Sequence, residues 1–338
     1  MDLKRSYFED IKLFESGVVL FWSVVLLALL IAFPLFAKTY YIYIASLLLI
    51  NIIVAIGLNL LVGYTGQVSL GHAGFLAIGA YTSVLLMLKL GFPFLVALPL
   101  AGLVSALFGF ILGLPALRME GPYLAIATLG FGISVEQILG LMEKVTGGRM
   151  GLETPPFRVF GHTLKGDLVV GSFALGEEQQ IYFLIMIVTV IMTFLAINLV
   201  RSRIGRAFIA IRDSDIAAES MGVNLTYYKT LAFAVSAFFV GVAGALQAHM
   251  ITFIAPVQYN LIQSIYMLAM VVVGGLGSIL GSILGAILFT MLPQLLAELG
   301  WLNSVITGAI MVLIIVFEPL GLRGRWIKIK IYWKMWPF

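Results

Sequence analysis

The stretch GYTGQVSLGHAGF, Gly63 to Phe75, sets four glycines with Gln67, Ser69 and His72 between two apolar runs. Upstream, Tyr40 to Val62 is long enough to cross a bilayer, whereas the downstream run Phe75 to Leu88 is too short to cross alone. The junction is therefore expected near membrane depth, where polar irregular backbone survives only against a cavity enclosed by protein or water. Helices broken in this way hold substrates in transporters. Gly63, Gly66, Gln67, Ser69, Gly71, His72, Gly74 and Phe75 thus form a candidate substrate path. The alternative for the same residues is a tight Gly-rich turn around a buried, hydrogen-bonded histidine. A phosphate-binding loop does not fit, because no strand precedes the segment.

On both sides of this junction the chain stays apolar. Of 338 residues 62% are hydrophobic and 11% charged, against about 25% charged in soluble domains. That excludes an ordinary soluble enzyme and leaves room for about ten spans of about 20 residues. Besides the two flanking runs, the candidates are Gly17 to Ala37, Phe94 to Leu114, Tyr123 to Met142, Ile181 to Val200, Thr230 to Met250 and Leu302 to Leu320. The run Leu261 to Leu296 is too long for one helix and is split at Gly274, Gly275 and Gly277. The first run exceeds a signal-peptide core, and Lys38 follows it in place of a cleavage site. The expected fold is an all-α integral membrane protein of about ten transmembrane helices with Gly-rich broken or re-entrant segments.

Charge placement orients this bundle. The net charge is only +4, but thirteen of the twenty bases fall in three places: the head 1–16, the loop 201–229 and the tail 321–338. Cytoplasmic flanks retain Lys and Arg. Six spans between head and loop, and four between loop and tail, put all three on one side, so both termini are expected to be cytoplasmic. The transmembrane part is then 17–320, and its segment 143–180, with five acids and four bases, faces outward as a small folded cap. The tail mixes bases with Trp326, Tyr332, Trp333 and Trp336, as a helix or strand resting at lipid headgroups does.

A transporter needs a path, a gate and a source of energy. No Gly-Lys dipeptide occurs, so no Walker A loop is available to hold nucleotide. Glu136 alone sits well inside a proposed span, as a proton relay or as a hydrogen-bonding partner of Gln137, helix ends or water. A secondary carrier would need several such carboxylates. A membrane enzyme would need a clustered His, Asp or Glu set, yet His72, His162 and His249 lie in separate segments. With no cysteine, thiolate metal sites and a Cys nucleophile are excluded as well. Neither a cofactor, a metal nor nucleic acid is expected, and energy should come from a partner.

Two further patterns matter. Gly277, Gly281 and Gly285 have small-xxx-small spacing, which suits close helix packing. In RIGRAFIAIRDSDIAAESMGVNLTYYK, Asp213, Ser214 and Asp215 supply a cap and first-turn acids, and Gly222 follows Met221 at the C′ position. A two-turn helix from about Asp215 to Met221 is predicted. Its apolar Ile216, Ala217 and Met221 are too many for a short isolated helix to hide, so it should dock on its own spans or on another protein.

Three long motifs in order, GLNLLVGYTGQVSLGHAGFLAIGAY (Gly57 to Tyr81), LRMEGPYLAIATLGF (Leu117 to Phe131) and RAFIAIRDSDIAAESMGVNLTYYKTLAFAVSAFFVGVAGAL (Arg206 to Leu246), resemble the branched-chain amino-acid ABC transporter permease family. Length, the extra first span and the extended outer segment resemble its larger, M-type subunit. The resemblance covers residues 40 to 320. It implies an ABC importer permease fold in a prokaryotic cytoplasmic membrane, paired with a second unlike permease, two ABC ATPases and an extracytoplasmic binding protein. It implies an ATPase-coupling loop carrying Arg206, Arg212, Asp213, Asp215, Ala217, Ala218, Glu219, Met221 and Gly222. The order here is Ala-Ala-Glu where the family loop has Glu-Ala-Ala, so no role passes to Glu219 by position. Phe75 and Phe131 would accept an apolar side chain of the substrate. Urea, short amides and other small solutes are the alternative cargo within the same superfamily.

Overall fold

The computed structural model describes residues 17–116, 119, 121–159, 162–163, 168–170, 173–300, 302–318 and 321–335. The predicted head 1–16 lies outside them. Thirteen helices are named here: α1 (Gly17–Phe36), α2 (Thr39–Thr65), α3 (His72–Leu90), α4 (Phe94–Ala116), α5 (Pro122–Leu141), α6 (Glu177–Arg201), α7 (Arg203–Asp213), α8 (Asp215–Ser220), α9 (Leu225–Ile251), α10 (Leu261–Gly274), α11 (Ile279–Leu295), α12 (Leu302–Phe317) and α13 (Gly321–Met335).

Six of these, α2 to α6 and α9, are long and apolar enough to cross a membrane. Four shorter apolar stretches, Val24–Phe36, Leu261–Gly274, Ile279–Leu295 and Val305–Ile314, complete the series. Of the about ten transmembrane helices expected, the described residues thus present six of full length. Gly275 and Gly277, at φ +123° and +67°, break the run after α10 and leave 14 and 17 residues on either side, below the ~20 that a bilayer core takes. The third span is corrected the other way. It starts at His72 and has 19 residues, because side chains satisfy the amides at its first turn: Ala73 N–H donates to Ser264 Oγ at 3.0 Å.

The core is built around α2 and α9, which are buried over most of their length and pack on each other and, in the case of α9, on α3 and α4. Glycine makes this approach possible. A Cβ on Gly79 of α3 would run into the backbone of Gly241 in α9, and one on Gly244 would meet the carbonyl of Leu76. Two hydrogen bonds fix the direction of α3 along α9: His72 Nε2 meets Ser236 Oγ at 2.8 Å and Ser83 Oγ meets His249 Nε2 at 3.0 Å. The two helices are thus parallel.

The all-helical expectation holds, and beside the helices lie three two-stranded ladders of two or three residues per strand. β1 (Leu152–Glu153) pairs antiparallel with β6 (Phe253–Ile254) after α9, and β2 (Arg158–Val159) with β3 (His162–Thr163) and β4 (Leu168–Val170) with β5 (Phe173–Leu175) form hairpins within 143–180. His249 clamps this cap, since the Pro155 carbonyl accepts from its Nδ1 at 2.9 Å. At the opposite end of α9 the segment 201–229 is helical rather than a loop. Ser202 Oγ accepts from the amides of Ile204 and Gly205, and Ala207, Phe208 and Ile211 bury the inner face of α7. The tail is a helix, α13, packed on α10 and α11.

Candidate functional site

The Gly-rich junction begins inside α2. This helix runs to Thr65 and is closed by Gly66 at φ +72°. Buried Asn59 ties its last turns to the break between α10 and α11: its Nδ2 donates to Ser278 O at 2.8 Å and Ser282 Oγ at 2.7 Å, and its Oδ1 accepts from Gly277 N–H at 2.9 Å. Gly63 presses on the same turn, where a Cβ would strike both Asn59 and Gly277. Gly277 therefore sits in the turn ahead of α11, not on its packing face. Gly281 and Gly285 do serve packing, against the backbone of Gly274 and Met270.

From Gly66 the chain turns back. His72 is level with Ser236, eleven residues into α9 and so about 16 Å along its axis at ~1.5 Å per residue. Thr65 and Gly66, by contrast, reach the end of the bundle beside Arg212. Residues 66–71 thus climb through the interior without helical bonding, with Gln67 and Ser69 buried. Their polar groups find side-chain partners. Gln67 Nε2 donates to Thr65 Oγ1 at 3.1 Å, and the Leu70 amide donates to Thr128 Oγ1 of α5 at 3.0 Å. Gly71 needs to be glycine because a Cβ there would meet the Thr128 carbonyl. Gly74 sits against Gly132 and Phe131, and the Phe75 and Phe131 rings are 4.9 Å apart.

His72 is fully buried and both ring nitrogens have partners. Ser236 Oγ donates its one proton to the Gly57 carbonyl at 2.7 Å, so it accepts from His72 Nε2–H. Nδ1 is then the acceptor for Ser69 O–H at 2.8 Å. The imidazole clasps α2, α3 and α9 together. Ser236→Ala removes a buried donor and a buried acceptor at once, which is expected to cost about 1–3 kcal/mol. Thermal unfolding of the detergent-extracted chain should show the lowered midpoint.

The second group of residues, on α7 and α8, adjoins the first. A cleft of about 360 Å³ brings Gly66 and Gln67 together with Arg212, Asp215 and Lys229. The Arg212 guanidinium also lies against Gly277, whose carbonyl accepts from Arg323 at 3.1 Å. Helix α8 has the expected caps: Ser214 Oγ accepts from Ala217 N–H at 3.3 Å, and Gly222 follows at φ +84°. Lys229 Nζ donates to Asp215 at 2.6 Å and pins α8 to the first turn of α9. Ala218 faces inward, whereas Ala217, Glu219 and above all Ile216 and Met221, 83% and 85% exposed, face out. Arg206 and Asp213 are on the exposed side of α7. Glu136 stands apart, near the far end of α5, in a cleft shared with Arg149.

A bundle of membrane-crossing helices with a polar, non-helical break in its interior, mechanically joined to a capped helix with apolar residues turned outward, is the build of a transport permease. Residues 40–315 match the family model described as branched-chain amino acid transport system / permease component, and the chain belongs to that family. It is 38% identical to the high-affinity branched-chain amino acid transport system permease protein LivM of Salmonella typhimurium over 88% of this chain and 73% of that protein. The Escherichia coli K12 LivM is 37% identical over the same shares. The autoinducer 2 import system permease protein LsrC of Escherichia coli is 26% identical over 69% of this chain and 66% of its own length. No solved structure matches the chain.

Asn59, Thr128, Ser236 and Ser264 were not expected from the sequence. Asn59, Thr128 and Ser236 are each a lone polar residue inside an apolar run, whereas Ser264 follows Gln263; such residues in a membrane bundle point inward as a rule.

Proposed function

We propose that the chain is the larger permease subunit of an ATP-driven importer of branched-chain amino acids, forming half of a pore in a prokaryotic cytoplasmic membrane. The observation that carries this reading is the cleft that joins Gly66 and Gln67 to Arg212, Asp215 and Lys229. It couples an exposed docking helix to the interior break, as a pore without an ATP site of its own requires. The partners are a second unlike permease, two ABC ATPases that bind the ATP, and a soluble binding protein outside. Both termini and α8 face the cytoplasm, and 143–180 faces the binding protein. The chain makes no covalent chemistry and needs no cofactor. ATP binding draws the ATPases together, α8 moves with them, and the movement reaches α2 and α11 through Arg212. The broken segment 66–71, the first turn of α3 and Phe131 then exchange access between the two sides.

Reconstitution tests the reading. In proteoliposomes the chain alone should move no leucine, and uptake should appear only with ATPases, sister permease, binding protein and ATP. Leucine, but not urea, should compete on the cognate binding protein. Uptake by the chain alone would overturn partner dependence, and competition by urea alone would move the substrate to the small amides.

A further inference from the structure

At the end of the bundle opposite α8, Glu136 and Arg149 line one cleft of about 240 Å³ with Gln137, Gly140, Pro256 and Val257. Helix α5 forms its floor. Arg149 stands on a single turn, Gly148–Met150, bracketed by Gly147, Gly148 and Gly151 at φ +72°, +61° and +80°. That turn is held in place because Gly151 packs on the Ile254 carbonyl of β6, with no room for a Cβ. The Arg149 stem lies beside Gly140, one helical turn beyond Glu136: a Cβ there would be in ordinary contact, 3.6 Å from Arg149 Cγ.

Among the described residues neither Glu136 nor Arg149 has an ion-pair or hydrogen-bond partner, although they share one small cleft. Val257, 64% exposed, gives the same cleft an apolar wall. A carboxylate and a guanidinium without a partner among the described residues, beside an aliphatic surface, are the complement of a zwitterion with an aliphatic side chain. The volume is below the ~300–1,000 Å³ of sites for drug-sized ligands, so the molecule is small. We infer that this cleft is an entry subsite for an aliphatic α-amino acid, Glu136 taking its ammonium group, Arg149 its carboxylate and Val257 its side chain. The inference rests on the amino-acid importer reading above.

The test uses the complete importer in proteoliposomes, with leucine-loaded binding protein at saturation. Uptake and binding-protein-stimulated ATP hydrolysis are measured for the wild type, Glu136→Gln, Arg149→Gln and Arg149→Lys. Losing one charge-assisted contact should lower maximal uptake about tenfold or more. Stimulated hydrolysis should stay at the wild-type level, and Arg149→Lys should keep most of the uptake. Saturation-transfer NMR of leucine methyls on the nanodisc-embedded importer should lose its signal in both neutral variants. Wild-type uptake in all variants would overturn the subsite. So would parallel loss of uptake and stimulated hydrolysis, which would make the pair a contact for the binding protein. If the wild-type complex itself carries no leucine, the importer reading fails instead.

Discussion

Replacing Gly79 with valine is expected to destabilise the folded protein severely. The Cβ alone would overlap the carbonyl oxygen, Cα and carbonyl carbon of Gly241, all backbone atoms of a helix buried on every side. No rotamer relieves a clash between two backbones, so α3 and α9 must separate. Separation would break the His72–Ser236 and Ser83–His249 bonds, which lie on either side of the contact. Overpacking of a core costs ~1–3 kcal/mol when side chains give way, and here they cannot, so about 3 kcal/mol or more is expected from a total of ~5–15. The measurement is the yield of monodisperse chain in mild detergent and its unfolding midpoint. Gly130→Ala is the matched control. No atom lies within 4 Å of the Cβ it adds, and alanine is the better helix former, so yield and midpoint should hold or rise.

The residues that the sequence marked and those it hid differ in a physical way. Gly63 to Phe75 stood out because polar residues and glycines interrupt an apolar background, and the structure makes this the meeting point of α2, α3, α5 and α9. The caps of α8 were legible because Ser214 and Gly222 act on backbone groups within three or four residues. Asn59 was not legible. Its partners Gly277, Ser278 and Ser282 are more than two hundred residues away, and nothing in LNLL announces them. The start of α3 was misplaced for the same reason: Ser264, which satisfies the amide of Ala73, comes from α10. Helix α7 left a signal that charge obscured. Ile204, Ala207, Phe208 and Ile211 follow a helical period, but the arginines between them read as a loop. The close face of Gly241 and Gly244 lies within the stretch Arg206 to Leu246, yet spacing alone does not say which helix such a face meets.

Ile216→Asp combined with Met221→Asp should leave the chain folded and stop transport. Both side chains are more than four-fifths exposed, so the isolated subunit loses no packing and its unfolding midpoint should match the wild type. The inner side of the same helix is fixed independently, by Ala218 against the bundle and by the ion pair of Asp215 with Lys229 at 2.6 Å. Ile216 on this anchored six-residue helix and Met221 at its C-cap are held outward and are not packed within the chain itself. In the complex they would fill a groove on an ATPase, where an aspartate enters at the cost of desolvation without a partner. Anchors of this kind contribute ~2 kcal/mol or more each, so ATPase association and ATP-driven leucine uptake should each fall by about 30-fold or more. Co-purification of the ATPases with the membrane subunits reads the first, and proteoliposome uptake the second. Retained ATPase binding with lost uptake would place these side chains in transmission instead of docking. Retained uptake would remove α8 from the coupling path altogether.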